Sequence, residues 1–190
     1  MTKLFKKVLV MALAATLTFG STTSAFAATK SPVVSVTPED ATKVKADTKN
    51  GVKATVNTSK KGTAKVVTIA KTTKKSVTIS SKLTVDGVDY KVTTLSAKAF
   101  ANCTKVETIT LPSTITSIAK SVFTDAPKTL KKIVFNNKKA IKVTSGAFKG
   151  VDTKKITINV TASMSKTEYK KFVTNLQKAG FKGTIKQLTK

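Results

Sequence analysis

Almost all the chemistry open to this chain lies in its lysines and its few carboxylates. The 190 residues hold no histidine, the side chain most often used for general acid–base work. The one cysteine, Cys103, can neither close an intrachain disulfide nor build a zinc site. The nine carboxylates are scattered: Glu39, Asp40, Asp47, Asp86, Asp89, Glu107, Asp125, Asp152 and Glu168. No nucleophile–base pair stands out among them. Asp86 and Asp89 lack the further oxygen donors of a calcium loop, and Asp86 reads as a turn residue. The expectation is a non-enzyme with no cofactor and no metal. What remains is charge: the net charge is +26 and every basic residue is lysine. Lysine is a compact, hydrated point charge, whereas arginine offers the planar fork suited to phosphate and base recognition. The balance therefore points to diffuse attraction to anionic surfaces.

Aromatic residues are few: nine Phe, two Tyr and no Trp. The best-placed phenylalanines are claimed by a repeat. Leu95-Ser-Ala-Lys-Ala-Phe100, Ile118-Ala-Lys-Ser-Val-Phe123 and Val143-Thr-Ser-Gly-Ala-Phe148 each set an aliphatic residue five positions before the ring. The steps between rings are 23 and 25 residues, within the range of short-repeat solenoids. Rings used in this way are core, as is Phe135. They leave no stacking platform for a sugar or an unpaired base, so specific nucleic-acid readout is not expected.

Each repeat must position a strand. Beyond the Phe comes a small or apolar residue (Cys103, Ala126, Val151), then alternate apolar positions: Val106 to Leu111, Leu130 to Phe135, and Lys155 to Val160. Period-two alternation buries one side of a strand and exposes the other. The buried side reads as Ile109, Leu111, Ile133, Phe135, Ile156 and Ile158. The exposed side, and hence the candidate binding face, reads as Thr108, Thr110, Lys132, Val134, Lys155 and Thr157. One coil cannot bury its own apolar face, so stacked neighbours must supply the core.

The segment from Leu95 to Ile118 resembles a BspA-type leucine-rich repeat. That family's pattern runs roughly I-x-x-x-A-F-x-x-C-x-x-L-x-x-I-x-I-P with an apolar restart. Ala99, Phe100, Cys103, Val106, Ile109, Leu111, Pro112, Ile115 and Ile118 fall on it. The later copies replace the cysteine with Ala126 and Val151 and have no counterpart of Pro112. The resemblance implies an exported bacterial protein of surface or host-contact type, without enzymatic activity of its own. The expected fold is α+β and mostly β: a short solenoid between an N-terminal β-hairpin cap and a C-terminal helix–strand cap.

The flanks fit that plan. Lys3, Lys6 and Lys7, the apolar stretch from Val8 to about Phe19, and Ala25-Phe-Ala27 form the three parts of a secretory signal peptide. Cleavage after Ala27 removes three lysines from the net +26 and leaves +23. Residues 28–91 read as a β-rich cap region with a loose leader from Thr29 to Thr48. Asp86-Gly87 is its strongest hairpin signal. About three repeats occupy 92–160, and 161–190 form the closing cap. In that cap Ser165-Lys-Thr-Glu168 reads as a capping box, and Gly180 suits the left-handed residue that ends a helix. The expected partner is a protein or an anionic surface polymer, the mature chain has no transmembrane span, and the location is secreted or non-covalently surface-bound. The alternative reading is a polyanion binder (wall polymer, anionic lipid or nucleic acid) acting through lysine number alone.

Overall fold

The structure, a computed structural model, describes residues 37–48 and 51–189. The signal-like segment 1–27 lies outside the described residues. The described strands are β1 (Ala41–Asp47), β2 (Lys53–Ser59), β3 (Thr63–Ile69), β4 (Ser76–Thr78), β5 (Lys82–Val85), β6 (Val88–Leu95), β7 (Thr108–Leu111), β8 (Ser117–Ile118), β9 (Lys132–Phe135), β10 (Lys142–Val143), β11 (Thr157–Val160) and β12 (Thr184–Gln187). The helix α1 (Lys166–Lys178) lies between the last two.

The first sheet has the order β1-β2-β3-β6-β5. Its β5–β6 hairpin turns on Asp86 and Gly87, both with positive φ, as the Asp-Gly pair predicts. One sequence expectation is corrected here. The loose leader was to extend to Thr48, yet Ala41–Asp47 is a strand, paired antiparallel with β2. Ala46 is buried there and the Thr48 hydroxyl donates to Val52 O at 2.7 Å. Lysine and aspartate favour strands weakly, so local propensity hid this one; pairing along an open sheet edge overrode it. Toward the repeats, Ile69 N donates to Ala99 O at 2.8 Å and Ser96 N donates to Val66 O at 2.8 Å, which ties β3 to the first repeat turn.

The second sheet is an all-parallel ladder in the order β12-β11-β9-β7-β4. Its inward row runs in register through Val77, Ile109, Ile133, Ile158 and Ile185. All six residues expected on the buried side are buried. The ladder is longer than the three repeats alone, because β4 precedes them and β12 follows them.

A second, shorter row forms where each repeat restarts. Thr116 N donates to Thr93 O at 3.1 Å, β8 and β10 pair in parallel, and Thr144 N donates to Ile118 O at 2.9 Å. Among the described residues no further strand follows β10 in this row. Helix α1 takes the next place instead: Asn175 Nδ2 donates to Ile141 O at 3.0 Å, and Glu168 Oε2 accepts from Ala140 N at 2.6 Å. The helix is amphipathic, and Phe172 and Leu176 are its buried residues. Only half of the expected capping box forms. Ser165 Oγ accepts from Glu168 N at 3.3 Å, but the Glu168 carboxylate turns to Ala140, whose N–H sits on the open end of the short row and needs an acceptor. The helix ends as its Gly predicts. Gly180 has φ 91°, Gly180 N donates to Gln177 O and Phe181 N to Leu176 O, which is the Schellman pattern.

Between the two rows runs the ring ladder. Phe100 and Phe123 stack with centroids 5.5 Å apart, Phe123 and Phe148 with centroids 5.0 Å apart, and planes within 10° in both pairs. Phe181 extends the ladder past the last repeat, 5.2 Å from Phe148. Two residues before each repeat ring the backbone turns left-handed: Lys98 has φ 57°, Ser121 φ 62° and Gly146 φ 77°. These turns are linked, Lys98 N to Ser121 O and Ser121 N to Gly146 O. A left-handed L-residue costs roughly 1–2 kcal/mol, against roughly 0.5–1 kcal/mol for the extra freedom glycine loses on folding. Ser121→Gly and Lys98→Gly should therefore each stabilise the fold, by about 0.5 kcal/mol. Ser121→Gly is the cleaner test, since Lys98 also gives up an exposed ion pair with Asp125. A denaturation midpoint that falls in Ser121→Gly would refute this account of the turn.

Candidate ligand-binding face

The outward side of the parallel ladder is a mostly polar surface made by alternation and register. One row runs Ser76, Thr108, Lys132, Thr157, Thr184; the next runs Thr78, Thr110, Val134, Asn159, Lys186. Of the candidate face residues, Thr108, Thr110, Lys132, Val134 and Thr157 stand on these rows. Lys132 is exposed, and the other four are half-buried by their neighbours across the strands.

Lys155 does not stand on the ladder. It closes a short 3₁₀ turn, Thr153–Lys155, before β11, and its ammonium lies 3.2 Å from Asp152 Oδ2. The sequence alternation extends back to Lys155, but the strand begins only at Thr157 because the turn tightens the preceding residues. The place equivalent to Thr110 and Val134 is Asn159, which the candidate set missed. Lys186, opposite Asn159, is also outside the candidate set, because it lies in the segment assigned to the closing cap. In both cases period-two counting forward from Thr157 and Thr184 was the available signal.

Charge is unevenly spread along the face. At its β7 side Glu107 sits 3.1 Å from Lys131 Nζ and 3.7 Å from Lys75 Nζ. Hydrogen bonding and attraction from Lys131, with Lys75 beside it, hold the Glu107 carboxyl below its usual range. Toward β12 the face opens into a shallow depression of about 620 Å³ lined by Lys131, Lys132, Lys155, Asn159, Lys186 and Gln187, among others. No carboxylate lines it.

The other residues with possible chemistry are placed elsewhere. Cys103 is free and fully buried, and desolvation pushes its thiol up to about 11, so it stays protonated at neutral pH. It packs as a small hydrophobe at the repeat position that Ala126 and Val151 fill in the later copies. Asp89 accepts from Thr84 at 2.7 Å and from Lys82 at 3.2 Å, and these bonds lower its pKa. Among the described residues no group of three or more His, Cys, Asp or Glu converges on a metal-sized space. No helix among them is long and apolar enough to cross a membrane.

No curated protein and no solved structure matches the chain. A family model does: residues 93–190 match the description "BspA type Leucine rich repeat region (6 copies)". The matched span begins inside β6, where the short row starts, and takes in α1 and β12; β4 adds a strand to the ladder from outside it. Such repeats are protein-interaction modules, typically non-enzymatic, in a family associated with bacterial surfaces and secretion. With its recurring Phe turns, its stacked rings and the strands β7, β9, β11 and β12 inside the matched span, the chain belongs to the BspA-type leucine-rich repeat family.

Proposed function

We propose that this chain is an exported, surface-associated binding module that acts without catalysis, through the exposed side of its repeat strands. Residues 1–27 are then a cleaved signal, 28–91 the N-terminal β-rich cap region, 92–160 the repeats and 161–190 the closing cap. The observation that carries this reading is the mostly polar outward face of the parallel ladder, set in register across five strands and backed by a packed core. Rigid strands present side chains at fixed spacing, and that preorganisation lowers the cost of binding. The basic head, apolar stretch and Ala-Phe-Ala site support export, and the family's surface association supports the location.

The test is binding of the purified chain to whole bacterial cells and to a panel of extracellular proteins, with Thr110→Trp and Thr157→Trp as blocking variants. Each places a bulky ring on the face while leaving the inward rows intact. At least a tenfold loss of binding, with melting unchanged, is the expected result. Binding that both variants leave intact would remove the strand face as the ligand surface.

A further inference from the structure

We infer that the C-terminal half of this face, from β9 to β12, binds an extended polyanion, with successive phosphate or carboxylate groups held by Lys132 and Lys186. The inference rests on the strand face being the ligand surface and gives its partner a chemistry.

Four lysines line the depression there and no carboxylate does. Two of the four are already matched: Lys131 pairs with Glu107 at 3.1 Å and Lys155 with Asp152 at 3.2 Å. Lys132 and Lys186 have no ion-pair partner among the described residues. Their positions follow from register. Lys132 shares a row with Thr157 and Thr184, and Lys186 shares the next row with Asn159 and Val134. Two strand spacings separate them across the sheet and two residues along it, which places their backbones roughly 12 Å apart. That separation suits two charged groups on one polymer better than a single small ion. Between them stand the Thr157 hydroxyl and the Asn159 amide, groups able to hydrogen-bond a hydroxylated backbone.

The same surface is poorly made for the rival macromolecules. Protein interfaces concentrate their energy in buried aromatic and arginine anchors, and this depression is lined by neither. Leu188, the one exposed large hydrophobic residue among those described, is its only large aliphatic lining residue. Single-stranded nucleic acid is gripped by base stacking on aromatic rings, and none is present. A linear, non-aromatic polyanion needs only the lysines and polar groups that are there. The β4–β7 half of the face, with Ser76, Thr78, Thr108 and Thr110, carries a carboxylate, Glu107, which lies against Lys75 and Lys131.

The experiment measures binding of the purified chain to inorganic polyphosphate and to polygalacturonate across a salt series, with oligo-dT as the nucleic-acid arm. Lys132→Ser/Lys186→Ser is compared with Lys120→Ser/Lys149→Ser, which removes the same charge from the exposed turn side. The face variant should lose about tenfold in affinity at moderate salt, and its log–log salt slope should fall by about 2, one per lysine contact. The turn-side variant should lose less than about twofold. Tighter binding of polyphosphate or of polygalacturonate names the anionic group. Equal losses in the two variants would mean diffuse attraction by lysine number and overturn the localised site, as would failure to bind either polyanion or tighter binding of oligo-dT. If the polyanions fail while Thr110→Trp still blocks cell binding, this inference falls and the face remains the ligand surface.

Discussion

Phe123→Ala should cost the fold about 3–5 kcal/mol, the usual range for emptying a core phenylalanine site. The ring is fully buried and sits between two others, 5.5 Å from Phe100 and 5.0 Å from Phe148, with planes within 10° of each. Truncation therefore leaves a cavity in the centre of the ladder and removes two offset-stacked contacts at once. The neighbours cannot collapse into the gap, because the strands on one side and the short row on the other are fixed by backbone hydrogen bonds. The loss should appear as a lower denaturation midpoint at unchanged slope. Phe123→Leu refills part of the space and should lose clearly less. A Phe123→Ala protein as stable as the parent would refute the ring ladder as the organising core of the repeats.

Gly183→Ala is expected to be nearly as damaging, for a different reason. Gly183 lies just before β12, and an added Cβ would sit far inside contact distance of the backbone oxygens of Thr153 and Ile156 and against the Phe181 ring. Backbone carbonyls cannot swing aside as a flexible side chain would, so the chain itself must move. The parts that must move are those that close the array: Thr184 N donates to Ile156 O at 3.2 Å, Lys182 N to Thr153 Oγ1 at 3.0 Å, and Phe181 packs on Phe148. Overpacking in a tight site costs roughly 1–3 kcal/mol and occasionally more, and this site is at the upper end because two carbonyls are met at once. Hydrogen exchange should show β12 losing protection before β9 and β11. Thr184→Ala, at an exposed neighbouring position, serves as the near-neutral control. Full protection of β12 in Gly183→Ala would show that the close approach is not a constraint.

These two effects frame how the molecule divides its labour. The rings and inward aliphatics hold the ladder, and the exposed Lys132 and Lys186 on the outward rows stand outside that core. Substitutions at Lys132 or Lys186 can then be read as effects on binding, since surface changes away from packed features seldom move stability by more than about 0.5 kcal/mol.

Much of this was legible in the chain. The alternation around Ile109, Ile133 and Ile158 is a local property: one buried face imposes period two on any strand that covers it. The 23- and 25-residue steps between Phe100, Phe123 and Phe148 have the same status, because a stacked coil must return the same atom type to the same place. Asp86-Gly87 and Gly180 are legible because only certain residues adopt positive φ cheaply. The repeat and its core could be read from these residues alone, because both follow from local periodicity. Other features were decided only in three dimensions. Pairing with β2 made a strand of Ala41–Asp47 against its weak propensity. The 3₁₀ turn moved Lys155 off the ladder, and register put Asn159 and Lys186 on the face in its place. An unmet N–H on Ala140 drew Glu168 away from its own helix. Each of these depends on which chain segment lies one strand away, and that neighbour is set by packing between residues far apart in sequence.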